Sequence, residues 1–393
     1  MARELFISIY LSIFSFLFKF FNIFPMQKKV VFCASFIENN AFLYSKLKKL
    51  YPETAAVLLN YNKSCFHYFS HHQKKDDIVL FFNPKKIFSF LASIYHLATA
   101  KVVIMDNYYA FLSSVQFKRE VKRLQIWHAV GAIKTFGLKD SSIKDRSKKA
   151  NERFLKVYNQ FEHTLVGSNK MENIFKEAFG LPSSSFIRTG IPRTDLFFDD
   201  LHKNKIITEL YDHYPELRNK KVILYAPTFR DGQIDHYTLP INLAALKKTL
   251  GKEYIFVLKL HPAIKTTFDY GKQDSFILDL SDYPKVNDLL FITDYLITDY
   301  SSIPFEFSYF QKPMLFYPYD LEEYMATRGL WEPYSDLVPG PIVHSSEDIA
   351  HTILNNSFDL NRIEEFHKAW NEYSNGDSSK KAVLQIHKWL KED

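Results

Sequence analysis

The chain has 393 residues, which is too long for one ordinary hydrophobic core, so two domains are expected. Hydrophobic residues make up 47% of the sequence and charged residues 24%, a composition that excludes a disordered protein. The net charge of +6 is spread along the chain, which favours an anionic membrane surface or a phosphorylated substrate as partner and argues against nucleic-acid binding.

The first 26 residues predict a membrane-associated helix. Residues 5–24 are almost continuously apolar and contain no small-residue cleavage site, so a signal peptide is not expected. The polar residues of this segment recur every three or four positions, on one stripe of a helix, and are Ser8, Ser12, Ser15, Lys19 and Asn22. A helix lying in the membrane interface explains such a stripe, and Lys28 and Lys29 could meet anionic headgroups. A helix buried against the protein or in an oligomer and a transmembrane span are the alternatives.

After residue 25, short apolar runs alternate with helical patterns, which is typical of βαβ units and a parallel sheet. The first half has predicted strands at 30–35, 55–59, 78–82, 101–106, 124–128 and 163–167, with helices at 42–50, 84–97, 145–158 and 169–179. A charge-dense break at 199–220 precedes strands at 221–225, 254–260, 275–279, 295–298 and 314–317, a helix at 285–291 and a helical tail at 347–392. We therefore predict an α/β protein with a membrane helix at 1–26 and Rossmann-like domains at 27–200 and 201–393.

The segment 295–303 predicts a phosphate-binding turn. It is a short buried strand that ends at Asp299 and continues through Ser301 and Ser302 into a helix. Ligands of parallel α/β sheets bind at the carboxyl ends of the strands, and a helix N-terminus at that edge favours phosphate. With the guanidinium of Arg328 further along, the segment suits a nucleotide diphosphate.

Two histidines end predicted strands, one in each half of the chain. His128 follows Trp127 and precedes a loop of small residues; it can act as a general base or cap the strand through a carbonyl. His261 precedes Pro262 and could donate to a phosphate oxygen. Both histidines are expected to point into one cleft between the two halves.

Two further segments leave alternatives open. Thr228 and Arg230 follow a strand directly, and they are either phosphate ligands or parts of a turn with a surface arginine. The segment Gly190-Ile-Pro-Arg-Thr-Asp195 predicts an ordered hinge loop whose charges pair. Cys33 and Cys65 do not form a Cys-x-x-Cys motif, so neither a disulfide framework nor a zinc site is expected.

Six motifs occur in the order found in the CDP-glycerol glycerophosphotransferases, the teichoic-acid primases and polymerases of Gram-positive bacteria, which this chain resembles. The motifs are Trp127-His128, Gly190-Ile-Pro-Arg-Thr-Asp195, Tyr225-Ala-Pro-Thr-Phe-Arg230, His261-Pro262, Ile297-Thr-Asp-Tyr-Ser-Ser302 and Arg328-Gly329. The resemblance implies a GT-B fold, in which two Rossmann-like domains face each other across a cleft and the C-terminal domain holds most of the donor. It also implies a peripheral enzyme on the cytoplasmic face of the cell membrane.

The family transfers glycerol phosphate or ribitol phosphate from a CDP-alditol to a polyprenyl-diphosphate-linked acceptor, normally without a metal or another cofactor. By this resemblance His128 matches the general base. The donor-phosphate ligands are matched by His261, Ser301, Ser302, Thr228, Arg230 and Arg328. Asp299 is expected to fix the turn, and Asp320 and Glu323 to reach the ribose or cytidine.

The form Trp-His-Ala-Val-Gly-Ala-Ile-Lys at 127–134 is more similar to the primases than to the polymerases, which tend to carry Trp-His-Gly-Thr-Pro. Primases add the first unit to a lipid-linked ManNAc–GlcNAc disaccharide, and the chain length points the same way. A teichoic acid polymerase or second-unit transferase, a glycosyltransferase using a nucleotide sugar, and a non-catalytic membrane adaptor stay open. The choice between a glycerol and a ribitol donor, the identity of the acceptor sugar and the formation of a homo-oligomer also stay open.

Overall fold

The computed structural model describes residues 2–230, 237–261, 264 and 275–392. Pro262 of the predicted His261 motif lies outside the described residues. The chain folds into two compact units, each built from separate stretches of sequence. The first unit comprises Met1–Ala129, Phe136–Asp195 and Glu372–Asp393, and the second comprises Val130–Thr135 and Leu196–Asn371.

A parallel sheet forms the centre of the first unit, with the strand order β3-β2-β1-β4-β5-β6-β7. The strands are β1 (Gln27–Ala34), β2 (Ala55–Asn60), β3 (Ile78–Phe81), β4 (Ala100–Met105), β5 (Lys122–Gln125), β6 (His163–Leu165) and β7 (Phe186–Ile187). Val, Ile and Leu dominate the central strands because helices cover both faces of such a sheet. The order of the first five strands is that of a Rossmann fold. Strands β2 and β3 are added on one side of β1, and β4 and β5 are added on the other side. The switch point between β1 and β4 leaves a ligand crevice.

Seven helices accompany this sheet within the described residues. They are α1 (Ala2–Phe21), α2 (Glu38–Leu50), α3 (Lys63–His72), α4 (Ile87–Ala98), α5 (Lys148–Tyr158), α6 (Asn169–Phe179) and α15 (Ser378–Lys391). Helix α3 is absent from the sequence prediction because its ten residues include only two buried ones, Cys65 and Phe69. Such a short pattern gives little helical periodicity.

Helix α15 corrects the predicted domain boundary, since it belongs to the first unit and not to the second. Its apolar face, which includes Ile386 and Trp389, is part of the core around β1, β2 and β4. The carboxylate of Asp195 accepts the backbone N–H groups of Ser378 at 2.9 Å and Ser379 at 2.8 Å, which caps the start of the helix. A single boundary placed in the sequence could not show this, because the chain returns to the first core only after it has completed the second core.

Helix α1 has three faces. One face packs on the first unit, where Phe14 and Phe18 are buried and Phe14 stacks on Phe111 with 5.0 Å between ring centroids. A second face carries the predicted polar stripe. The third face exposes large apolar side chains, namely Leu5, Phe6, Ile9, Ile13, Phe16 and Phe20. The helix is therefore both packed on the protein and apolar on its outer side.

The second unit repeats the same topology with five parallel strands in the order β10-β9-β8-β11-β12. The strands are β8 (Lys221–Tyr225), β9 (Tyr254–Leu258), β10 (Ile277–Asp279), β11 (Tyr295–Thr298) and β12 (Met314–Phe316). Here the switch point lies between β8 and β11. Two Rossmann-like sheets confirm the predicted fold class.

The described helices of the second unit are α7 (Asp200–His213), α8 (Leu243–Leu250), α9 (Val286–Leu290), α10 (Ile303–Phe307), α11 (Leu321–Arg328), α12 (Tyr334–Leu337), α13 (Ser346–Leu354) and α14 (Leu360–Trp370). Helix α7 occupies the charge-dense stretch that was predicted as a break. It buries only Ile206 and Leu210, so its apolar face is too narrow to stand out in the sequence.

Replacing Asp195 by Ala should destabilise the first unit, because two N–H groups at the start of α15 lose their acceptor. We expect a loss of about 1–2 kcal/mol, the usual effect of removing a helix cap. Urea unfolding followed by tryptophan fluorescence measures it, since Trp389 lies on α15. Glu152→Ala, at an exposed position of α5, is the control and should change stability by less than about 0.5 kcal/mol. Equal stability of the two variants would contradict the capping role.

Candidate active site

Asp106 holds the switch point of the first unit together. It follows β4, and its carboxylate accepts the backbone N–H groups of Ser35 at 2.9 Å and Phe36 at 2.7 Å, in the loop after β1. The side chains of Asn40 and Tyr109 donate to the same carboxylate. Burial raises the pKa of Asp106 to about 6, while these donors act in the opposite direction because they favour the charged form. The sequence analysis did not single out Asp106.

His128 lies beside this loop with its tautomer set by a carbonyl group. Its Nδ1 lies 3.0 Å from the backbone oxygen of Asp106, which can only accept, so Nδ1 carries the proton and Nε2 keeps a free lone pair. The imidazole stacks on the ring of Phe36 with 4.3 Å between centroids. Burial, with a smaller contribution from the charge of Arg193, lowers the pKa of His128 to about 4. The neutral ring can therefore accept a proton at neutral pH.

The backbone before His128 is strained. Trp127 has a φ of +54°, a conformation that costs a bulky residue about 1–3 kcal/mol. Its ring is held in an aromatic cluster, at 5.0 Å from Phe136 and 5.4 Å from Phe179. Its carbonyl accepts from the side chain of Asn39 at 3.0 Å. Strain that the packing enforces is typical of a functional site.

Arg193 is a residue whose place at this site the sequence analysis missed. It belongs to the Gly190–Asp195 segment, which was predicted only as a hinge loop. Its backbone N–H donates to the side chain of Asn39 at 3.1 Å, and its guanidinium donates to the carbonyl oxygen of His128 at 3.1 Å. The segment thus positions the loop of His128 through Arg193 and caps α15 through Asp195.

In the second unit, Asp299 occupies the position after β11 that Asp106 occupies after β4. Its carboxylate accepts the backbone N–H groups of Thr228 at 2.7 Å and Tyr300 at 2.6 Å. Asp299 is 1% exposed, and Thr228 belongs to the loop after β8. Asp299 therefore ties the loop after the first strand of this sheet to the end of the fourth.

Arg230 is held by two carboxylates. Its guanidinium donates to Asp320 at 2.7 and 2.9 Å and to Asp299 at 2.9 Å, and its third nitrogen donates to the carbonyl of Thr228 at 2.6 Å. The rings of Tyr300 and Tyr324 lie 5.1 and 5.0 Å from the guanidinium carbon. All three guanidinium nitrogens are thus bonded to protein, which favours a structural role for Arg230 over direct contact with phosphate.

The other predicted donor ligands are distributed around this centre. Ser301 and Ser302 are half-buried before α10, a helix of only five residues whose dipole is correspondingly small. The hydroxyl of Thr228 is buried and has no hydrogen-bond partner among the described residues. His261 is exposed and stacks on Phe229 with 5.1 Å between centroids.

The electrostatic surroundings of His261 keep its ring neutral. Burial lowers the pKa of His261, and the charges of Lys259 and Lys134 lower it further. In the free protein the lowered pKa favours the neutral imidazole, which can still donate a hydrogen bond.

The carboxylates predicted to reach the nucleoside have different surroundings. Asp320 accepts from Arg230 and from the hydroxyl of Tyr300 at 3.0 Å, so it supports the turn. Glu323 is exposed on α11. Among the described residues, no group of three or more His, Cys, Asp or Glu side chains is arranged to hold a metal ion.

Residues 130–135 form a short segment of the second unit that we call the strap. Lys134 pairs with Leu330 in an antiparallel bridge, and the backbone N–H of Thr135 donates to the carbonyl of Gly329 at 3.2 Å. Gly329 has a φ of +69°, and a Cβ added there would lie 2.7 Å from the hydroxyl of Thr135. The Arg328-Gly329 motif therefore needs its glycine in order to receive the strap.

Comparisons with known proteins identify the family of the chain. The family model described as CDP-Glycerol:Poly(glycerophosphate) glycerophosphotransferase matches residues 16–388. The chain belongs to this family. It is therefore a transferase with CDP-glycerol as its donor, and the resemblance inferred from the six motifs is confirmed.

Two relatives and one solved structure illustrate this membership of the glycerophosphotransferase family. A teichoic acid glycerol-phosphate primase of Bacillus subtilis (strain 168) is 40% identical over 289 residues, which are 74% of this chain and 74% of that protein. A primase of the same name from Bacillus spizizenii is 36% identical over 349 residues, 86% of this chain and 90% of that protein. The structure of the wall teichoic acid polymerase TagF superposes with a TM-score of 0.79 at 20% identity, covering 100% of this chain and 98% of that one. This last likeness supports the fold alone, and it agrees with the predicted GT-B class.

Replacing Arg230 by Met should destabilise the second unit of this glycerophosphotransferase, because the buried Asp299 and the half-buried Asp320 would lose the only cation that pairs with them among the described residues. We expect a loss of about 3–5 kcal/mol, measured by chemical or thermal unfolding. The control is Arg218→Met, which removes an exposed ion pair to Asp212 and should cost less than about 1 kcal/mol. Unchanged stability with a raised KM for CDP-glycerol would instead show that Arg230 is a direct phosphate ligand.

Proposed function

We propose that the chain is a membrane-associated glycerol-phosphate primase of wall teichoic acid synthesis. It moves glycerol phosphate from CDP-glycerol to a polyprenyl-diphosphate-linked ManNAc–GlcNAc disaccharide and releases CMP. Two relatives that it matches over most of their length carry the primase name. The structural observation that carries the proposal is His128, whose protonated Nδ1 is bonded to the carbonyl of Asp106 and whose Nε2 is left as a base.

In the proposed reaction, Nε2 of His128 takes the proton of the acceptor hydroxyl as its oxygen attacks the β-phosphorus of CDP-glycerol. The bond from this phosphorus to the bridging oxygen breaks, and its electron pair leaves with CMP. With a pKa of about 4 in the free protein, His128 is a weak base, and a bound anionic substrate raises the pKa of a neighbouring imidazole. The remaining catalysis is positioning and charge stabilisation, as in other phosphoryl transfers. No metal or other cofactor is part of the proposal.

The donor diphosphate is proposed to bind at the switch point of the second unit. Its proposed contacts are the hydroxyls of Thr228, Ser301 and Ser302, the imidazole of His261 and the guanidinium of Arg328. The hydroxyl of Thr228, which is buried and has no partner within the described part of the chain, supports this position, because a buried polar group normally has a partner. Asp299, Asp320 and Arg230 hold the turn, and Glu323 remains the proposed contact to the ribose or cytidine.

A teichoic acid polymerase acting on glycerol or ribitol phosphate is the second candidate. It is favoured by a teichoic acid poly(ribitol-phosphate) polymerase of Bacillus spizizenii that is 32% identical over 379 residues, 95% of this chain and 59% of that protein. The mass of the product separates the two candidates, since a primase adds one unit and a polymerase adds many. A non-catalytic adaptor is less well supported, because strained backbone such as that of Trp127 is typical of a functional site.

The variant His128→Ala should bind CDP-glycerol normally but release CMP at least about 100-fold more slowly, the usual range for the loss of a general base. CMP release is measured with a lipid-linked disaccharide acceptor, and donor binding by calorimetry. The control is His71→Ala, which removes an exposed histidine of the first unit and should leave both quantities unchanged. Near-normal turnover of His128→Ala would remove the base assignment, while a wild-type protein inactive on CDP-glycerol would remove the proposed function.

The outer face of α1 is proposed to contact the cytoplasmic face of the membrane. By length and composition Arg3–Phe21 could cross a bilayer, but its Phe14 and Phe18 are buried in the protein, which favours a helix lying on the surface. Helix α4 packs beside α1 and extends the apolar surface with Ile87 and Phe88, which are 65% and 89% exposed. The exposed Lys85 and Lys86 precede them and suit anionic headgroups.

Point substitutions test this face better than deletion of α1, because deletion would uncover the core around Phe14. We expect Phe16→Glu and Phe88→Glu each to lower the fraction bound to phosphatidylglycerol-containing vesicles about tenfold or more, since burying one such side chain contributes about 1.5–3 kcal/mol. Vesicle co-sedimentation is the measurement. The control is Leu201→Glu, at an 85% exposed site of the second unit, which should bind like the wild type. If all three variants bind alike, the membrane contact lies elsewhere.

A further inference from the structure

Arg230, one of the two arginines predicted at the donor site, has no spare positive charge for a substrate. Arg230 is paired with both Asp299 and Asp320, so this centre holds one cation against two carboxylates. Partial burial and the charges of Lys259 and Lys134 lower the pKa of His261 in the free protein. A nucleoside diphosphate is an anion, and it gains little from a centre with this charge balance. Other cations of the second unit must therefore attract it.

The strap brings one such cation to the site. Lys134 is half-buried, and its Nζ lies 5.6 Å from the ring centre of Tyr324. Tyr324 in turn stacks on Tyr300, which lies in the turn after β11, with 3.7 Å between ring centroids. The charge of Lys134 also acts on His261. Lys134 thus lies next to Tyr324, which packs on Tyr300, and the bridge to Leu330 places it next to the Arg328-Gly329 motif.

The backbone of the strap is fixed well enough to position this lysine. The N–H of Trp331 donates to the carbonyl of Ile133 at 3.1 Å, and the hydroxyl of Thr135 donates to the carbonyl of Arg328 at 2.9 Å. A Cβ added at Gly131 would lie 2.6 Å from the ring of Phe305, a residue of α10. The strap therefore lies against both the end of α11 and the helix that follows Ser301 and Ser302.

We propose that Lys134 is a donor-binding residue whose ammonium group contacts the diphosphate of CDP-glycerol. This inference rests on the proposed function and deepens it. When the bond between the β-phosphorus and the bridging oxygen breaks, the electron pair remains on that oxygen, which becomes part of the phosphate of CMP. The ammonium offsets this growing negative charge without transferring a proton. Lys134 thus acts both in donor binding and in departure of the leaving group.

The test compares Lys134→Met, which keeps the length of the side chain, with Lys134→Arg and with the wild-type full chain. We expect Lys134→Met to raise the KM for CDP-glycerol and the Kd of CMP by about 10- to 100-fold, the effect of losing a charged hydrogen bond. Binding of cytidine, which has no phosphate, should be unchanged. Lys134→Arg restores the charge and should recover most of the affinity for CMP.

The control is Lys252→Met, which removes an exposed lysine of the same unit and should leave every constant unchanged. Equal weakening of CMP and cytidine binding by Lys134→Met, or no rescue by Lys134→Arg, would overturn the inference, because either result indicates a structural role. If the wild type uses CDP-glycerol and Lys134→Met has the same KM, only this inference fails. If the wild type neither binds CDP-glycerol nor releases CMP, the proposed function itself fails.

Discussion

A buried aspartate directly after the fourth strand of each sheet is the constraint on which both sites depend. Asp106 binds the N–H groups of the loop after β1, and Asp299 binds an N–H group of the loop after β8. In a Rossmann-like sheet the loops after the first and fourth strands diverge at the switch point, and the gap between those loops is the ligand crevice. Each carboxylate joins the sides of its crevice, so the side chains around it are held in place before a substrate arrives.

The two crevices use the same support for different chemistry. In the first unit the loop tied by Asp106 carries Phe36, which stacks on His128, and the carbonyl of Asp106 selects the imidazole tautomer. In the second unit the loop tied by Asp299 carries Thr228 and Arg230. In the proposed function the first crevice presents a base and the second presents hydroxyl groups, a division that suits transfer of a phosphoryl group.

Much of the site could be predicted because strand ends are visible in a sequence. The bounds of β8 and β11 are the predicted ones, and a polar residue after a buried strand points to the ligand edge of a parallel sheet. His128, Ser301 and Ser302 were predicted in this way. Asp106 and Arg193 were not, because their importance comes from partners far away in sequence, the loop at Ser35 and the carbonyl of His128.

The sequence by itself determined the α/β class, the polar stripe of the N-terminal helix, and the family motifs, since each is a local pattern. Only the tertiary structure decided that α15 completes the first unit, that Arg230 is bound by two carboxylates, and that Lys134 of the strap lies next to Tyr324. These outcomes depend on which segments meet in space. Hydrogen-bond partners and neighbouring charges decide whether an arginine or a lysine can bind a phosphate, and residue type alone does not.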